Sequence, residues 1–402
     1  VVYSSDMTGR YSPLYYLAAL GAGGLVVSFF MYLNWFTPHP KDPIANHASL
    51  MAAWSNGTDF TRGLILVALT GIAYFAIQHV RLLVWNVRHS NAWTQTPDYA
   101  AFRKTNAETQ LLAAPLAFAM SINVGFIVGA VFVPGLWEAR EVLFPFAIAA
   151  FAAIGYWAMS LAIAFLTRVF ATGGFDCAKN NSLGQMITVF ALAMVGVGFS
   201  NPAAMSHIRE VVIIAYLLST LFLTSAIVLG GVFLVLGFRS MMEHGAAEET
   251  TPTLWIVIPI LTVVGIGLYR LKMTHAHSFG AVVPAIDIMG LLATILAIQI
   301  LFGLIGWGVM KKVNYFGRWV WGSERSVGAY ALICPGVALV VMGFFVLDAG
   351  LVKIGVIAPM SPVHLALHAP LILLQFATIA LMMRLNKKLL SQPTMPQRTV
   401  TA

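Results

Sequence analysis

Ten apolar runs, each about long enough to cross a bilayer as a helix, constrain this chain more than any motif in it. A bilayer core of roughly 30 Å needs about 20 apolar residues in helical conformation. Runs of that length fall at about 14-36, 63-85, 109-132, 142-168, 184-203, 211-237, 253-270, 286-310, 327-349 and 364-385. Only 9% of the 402 residues are charged and 59% are hydrophobic. About a quarter of a soluble protein's residues are charged, so this chain cannot clothe a water-facing surface and a soluble enzyme is excluded. With 26 Phe, 12 Tyr and 10 Trp, intrinsic disorder is excluded as well. The fold class expected is all-α integral membrane protein. The connections at 37-62 and 86-108 are too short for a separate soluble domain, so residues 1-402 read as a single transmembrane domain.

Orientation follows from the distribution of basic residues, which stay on the cytoplasmic side in short loops. The N-terminal segment, the even-numbered connections and the C-terminal segment hold 16 of the 23 Lys and Arg, and the opposite side holds 7. Both ends are therefore expected in the cytoplasm. The net charge of +8 is a topology signal and calls for no nucleic-acid partner. No cleavable signal peptide is expected, because the first run is long enough to span and lacks a small-residue cleavage site.

Acidic residues inside spans mark proton relays and ion sites. All 15 Asp and Glu are expected in loops or at span ends, Asp287 and Asp348 lying closest to the core, which argues against a carboxylate relay. The mid-span polar groups are the neutral Asn123, Gln299 and Gln375. Their expected role is hydrogen bonding between packed helices, with substrate contact as the alternative. Glycine and proline concentrate in the odd-numbered runs, for example Gly21, Gly23 and Gly24, Pro115, Pro259, Pro335 and Gly336. Helix breaks are tolerated in a membrane where freed backbone groups face protein or a water-filled cavity. One arrangement consistent with this is five helical hairpins, with odd helices inside and even helices against lipid. The alternative is that such residues are simply common in membrane helices. No GxxxxGK[ST], GxSxG or HExxH occurs, so nucleotide-driven pumping and hydrolysis lack a motif and transport is favoured over catalysis.

Ten spans with both ends inside, TPTLWIVIP at 251-259 and the Pro-kinked AYALICPGVAL at 329-339 resemble the tellurite-resistance/dicarboxylate transporter family. That family includes TehA and the slow-type anion channels. The resemblance implies five hairpins around a central pore, passage of a small anion (sulfite, halide, nitrate or dicarboxylate), a homotrimer and a place in the bacterial inner membrane. It also implies a phenylalanine plug just before the ninth-helix proline. Here Cys334 precedes Pro335, and a thiol is too small to close a pore as a phenyl ring does. Either another aromatic such as Phe126, Phe199 or Phe344 is then the expected closing ring, or the pore centre has another task. The expected pore lining is Asn123, Phe126, Phe199, Pro259, Cys334, Pro335 and Phe344. A fainter likeness to TsoY-type membrane proteins, some of which contain selenocysteine, adds a second reading of Cys334 as a redox thiol beside that of an inert buried one. Cys177, in the polar loop GGFDCAKNN, is expected to be an exposed, reduced thiol.

A rival reading is a membrane redox or metal-binding protein. His364 and His368 in HLALHAP stand four apart, so both face one side of a helix. Two such imidazoles share a metal ion readily, and His275 and His277 are candidates for further ligands. Against a metal or haem stands the lack of any carboxylate flanking HLALHAP to orient the rings. No cofactor is therefore the default expectation.

Overall fold

The computed structural model describes residues 11-176 and 180-390, so Cys177 and the basic residues Arg10, Lys179 and Arg398 lie outside the described residues. Among the described residues, ten helices are long and apolar enough to cross a membrane. They are α1 (Pro13–Phe36), α2 (Asp59–Trp93), α3 (Asn106–Phe132), α4 (Arg140–Thr172), α5 (Gly184–Met205), α6 (Arg209–His244), α7 (Glu248–Phe279), α8 (Ala285–Lys312), α9 (Val327–Val352) and α10 (Pro362–Leu390). The apolar runs locate all ten. Several helices run further than their runs, as α2 and α7 do, because polar turns at their ends complete the backbone hydrogen bonding.

Burial divides the helices by parity. In the most apolar 18-residue stretch of each odd helix, 89, 50, 94, 67 and 78% of residues are buried from α1 to α9. The even helices bury 28, 28, 33, 28 and 22%. Their free faces carry Phe146, Tyr156, Phe170, Leu217, Leu304 and Leu373, each more than half exposed. An apolar surface of that extent suits contact with lipid or another protein surface and not with water.

The contacts follow the same division. Each odd helix packs on the next odd helix, and α9 packs on α1, which closes a ring of five. Each even helix packs on the odd helix before it and on the odd helix after it, with α10 returning to α1. Glycine sets the closeness of the ring. A Cβ on Gly21 of α1 would lie 2.7 Å from Ile333 Cγ2 of α9, and one on Gly24 would lie 3.0 Å from Val337 Cγ1.

Buried side-chain amides tie the layers together. Gln299 of α8 donates to the Ile258 carbonyl at 2.8 Å and to Thr262 Oγ1 at 2.7 Å, both on α7. Thr262 donates in turn to the Ala338 carbonyl of α9 at 3.1 Å. Tyr32 of α1 donates to Gln375 Oε1 of α10 at 2.9 Å. Gln299 and Gln375 thus serve as interhelical hydrogen-bonding groups, the first of the two roles expected for them.

Candidate functional site

Inside the ring of odd helices lies a cavity of about 170 Å³. A cavity of this size admits several water molecules or a small polyatomic solute. All five odd helices contribute to its wall, among them Gly21 and Gly24 of α1, Asn123 and Phe126 of α3, Phe190 and Asn201 of α5, Pro259 and Arg270 of α7, and Cys334 and Val341 of α9. The segments joining the helices add Ile44 and Trp137, and α4 adds Phe144. From Pro259 to Arg270 the wall rises eleven residues, about 16 Å along a helix axis. Cys334, near the start of α9, and Pro259, near the start of α7, mark the end nearer the face from which α1 begins. Arg270, Ile44 and Trp137 mark the other end.

The lining is apolar with a small number of polar groups. Asn123 Nδ2 approaches Met194 Sδ at 3.7 Å, a weak contact that leaves most of its hydrogen-bonding capacity unused. Phe126 and Phe144 stack with ring centroids 6.1 Å apart. No Asp or Glu lines the cavity, and Arg270 is its one charged residue. The Arg270 guanidinium makes no hydrogen bond or ion pair with any described residue. An arginine without a partner in an apolar enclosure has lost part of its hydration and gained no counter-charge, an arrangement that favours entry of an anion.

Four of the seven residues expected to line a path are brought together in this cavity: Asn123, Phe126, Pro259 and Cys334. The other three are not among its lining residues. Phe199 is fully buried and turns outward between α4 and α6, with ring centroids 5.9 Å from Phe151 and 5.7 Å from Phe222. Phe344 is fully buried against Phe36 and His368. Pro335 is buried in the first turn of the α-helical part of α9. Arg270 escaped the sequence reading because it is the last residue of its apolar run and counts there as a loop cation. The signal was the extension LYRLKMTH, whose helical continuation carries the guanidinium back over the cavity.

The histidines separate into two groups. His275 Nε2 lies 2.8 Å from the Tyr216 hydroxyl of α6, and neither His275 nor His277 joins His364 and His368. His364 and His368 do have a carboxylate partner, which corrects the expectation drawn from HLALHAP. Asp348, sixteen residues before His364, is buried within α9 and meets both rings. Asp348 does lie near the end of its span, as expected, but α9 continues as helix through Val352 and the carboxylate is buried there.

Comparison of the chain with family models, with curated proteins and with solved structures finds no match.

Proposed function

We propose that this protein passes a small anion across a membrane through a path centred on the cavity inside the odd helices. In this reading the chain forms five helical hairpins, odd helices lining the path and even helices facing lipid. The observation that carries it is Arg270: a guanidinium without a protein partner, in the wall of a cavity that no carboxylate lines. Asn123 and Asn201 supply neutral polar groups along the same wall. A desolvated cation and a few amide groups in an otherwise apolar cavity suit a small oxyanion or halide and repel cations.

Cys334 lies at the end of the cavity away from Arg270, and the resemblance to the tellurite-resistance/dicarboxylate family matches it to that family's closing ring. A thiol there leaves the path wider, and Phe126 with Phe144 supplies aromatic bulk instead. The same resemblance supports a homotrimer in a bacterial inner membrane, and the bias of basic residues supports cytoplasmic ends.

The test is efflux of chloride, nitrate, sulfite and a dicarboxylate from liposomes that hold the purified protein. Selective efflux is expected, and Arg270→Ala should reduce it about tenfold or more, since a hydrogen bond from a charged donor contributes about 1.5–3 kcal/mol. Arg270→Lys should retain part of the flux by keeping the charge while losing the planar fork. Absence of flux for every anion, with the protein folded and inserted, would overturn the reading.

A further inference from the structure

The last part of α9, Phe345–Val352, is wound as π-helix. Such wide turns are rare and recur at functional sites. This one carries Asp348, whose side chain is only 5% exposed. The start of α10 brings His364 and His368 against it, each 1% exposed. His364 Nε2 lies 2.7 Å from Asp348 Oδ1, and His368 Nε2 lies 3.0 Å from Asp348 Oδ2. The ligand-type atoms of the three residues all fall within 4.8 Å of one another.

The second nitrogen of each ring narrows what the cluster can hold. His368 Nδ1 is 2.8 Å from the backbone carbonyl of His364. A carbonyl only accepts, so Nδ1 carries the hydrogen, and Nε2 of the neutral ring then presents its lone pair to a carboxylate oxygen. Two acceptors facing each other at this distance require a cation between them. A ring held through Nδ1–H by a backbone carbonyl, with Nε2 free, is in the tautomer that ligates metal ions. His364 Nδ1 is buried and has no hydrogen-bond partner. Among the described residues, no Lys or Arg forms an ion pair with Asp348. The rings of Phe36 and Phe344, with centroids 4.9 and 4.6 Å from His368, wall the cluster from water.

We propose that Asp348, His364 and His368 bind a divalent first-row transition metal ion of the Zn²⁺ type, which ties the end of α9 to the start of α10. Two imidazole nitrogens and one carboxylate oxygen form a donor set that such ions favour. A single proton bridges one ring to the carboxylate, whereas a metal ion takes all three donors at once. The enclosed position makes this a structural link, separate from the cavity, and it does not depend on the anion reading.

The test uses the full chain purified in detergent without chelator and assayed by elemental analysis. About one equivalent of metal per chain is expected. Asp348→Asn and the His364→Ala/His368→Ala double variant should reduce it to background, while Cys334→Ser retains it. Removing the metal with a chelator should lower the Tm of the wild-type protein. Should the variants aggregate, Co²⁺ titration of stripped wild-type protein gives the same answer through visible d–d absorption. Wild-type protein that holds no metal and develops no Co²⁺ spectrum would overturn the proposal, leaving a proton as the cation of the cluster. Metal retained by the double variant, or lost on Cys334→Ser, would overturn it as well.

Discussion

At the scale of single residues, the chain places its few intramembrane polar groups in two different settings. Gln299 is fully buried, and its amide hydrogens are taken up by Ile258 and Thr262 across the α7–α8 contact. Arg270 faces the cavity without a protein partner. The first arrangement holds helices together and the second leaves capacity for a solute. Gln299→Leu keeps the volume but removes both donors, so it should destabilise the protein by about 1–2 kcal/mol, in the range measured for hydrogen bonds between membrane helices. Thermal unfolding in detergent checks this, and anion selectivity should not change. The pair Gln299 and Arg270 also shows what residue type alone can convey. A glutamine in the middle of an apolar run invites an interhelical bond, whereas an arginine at the end of a run reads as loop charge until the helix is seen to continue past it.

At the scale of helices, the placement of glycine explains the close approach of α1 and α9. A side chain on Gly21 meets the branched Ile333, whose own surroundings are fully buried, so neither side can yield cheaply. Gly21→Val should cost about 1–3 kcal/mol through overpacking. Gly290 on the exposed side of α8 is the contrast, since a Cβ there meets nothing within 4 Å. Gly290→Ala should be neutral or stabilising by up to about 1 kcal/mol through helix propensity alone. The two variants, compared by unfolding in one detergent, separate packing from propensity. The π-wound end of α9 is a further element-level feature that spacing does not reveal. Residues 327-349 read as one apolar run, and nothing in that run announces the extra residue per turn that accompanies Asp348.

At the scale of the molecule, alternate helices have different surroundings. The odd helices bury 50 to 94% of their most apolar stretches within the protein and the even helices 22 to 33%, although both kinds are nearly uniformly apolar in sequence. That division predicts how two aromatic substitutions differ. Cys334→Phe adds a ring at the end of the cavity and should lower anion flux to near background with the fold intact. Phe199→Leu alters a buried contact between α4, α5 and α6 and should lower stability while leaving the anion preference unchanged. Flux assays and unfolding on the same two preparations decide the matter. Unchanged flux in Cys334→Phe would place the path elsewhere.

The sequence by itself determined the number of helices long and apolar enough to cross a membrane and their approximate limits, because the length of an apolar run and the thickness of a bilayer are both one-dimensional quantities. It also identified Asn123, Phe126, Pro259 and Cys334, which the cavity gathers, and it paired His364 with His368, since four residues make about one helical turn. Only the tertiary structure decided which ring faces the cavity and which turns away from it. Phe126 and Phe199 sit in equally apolar stretches, and with an outer surface as apolar as the interior no pattern of polar residues marks the outer face. Tertiary contact also brought Asp348 to the two histidines: sixteen residues of chain separate the carboxylate from His364, and only the folding of α10 back along α9 closes that distance.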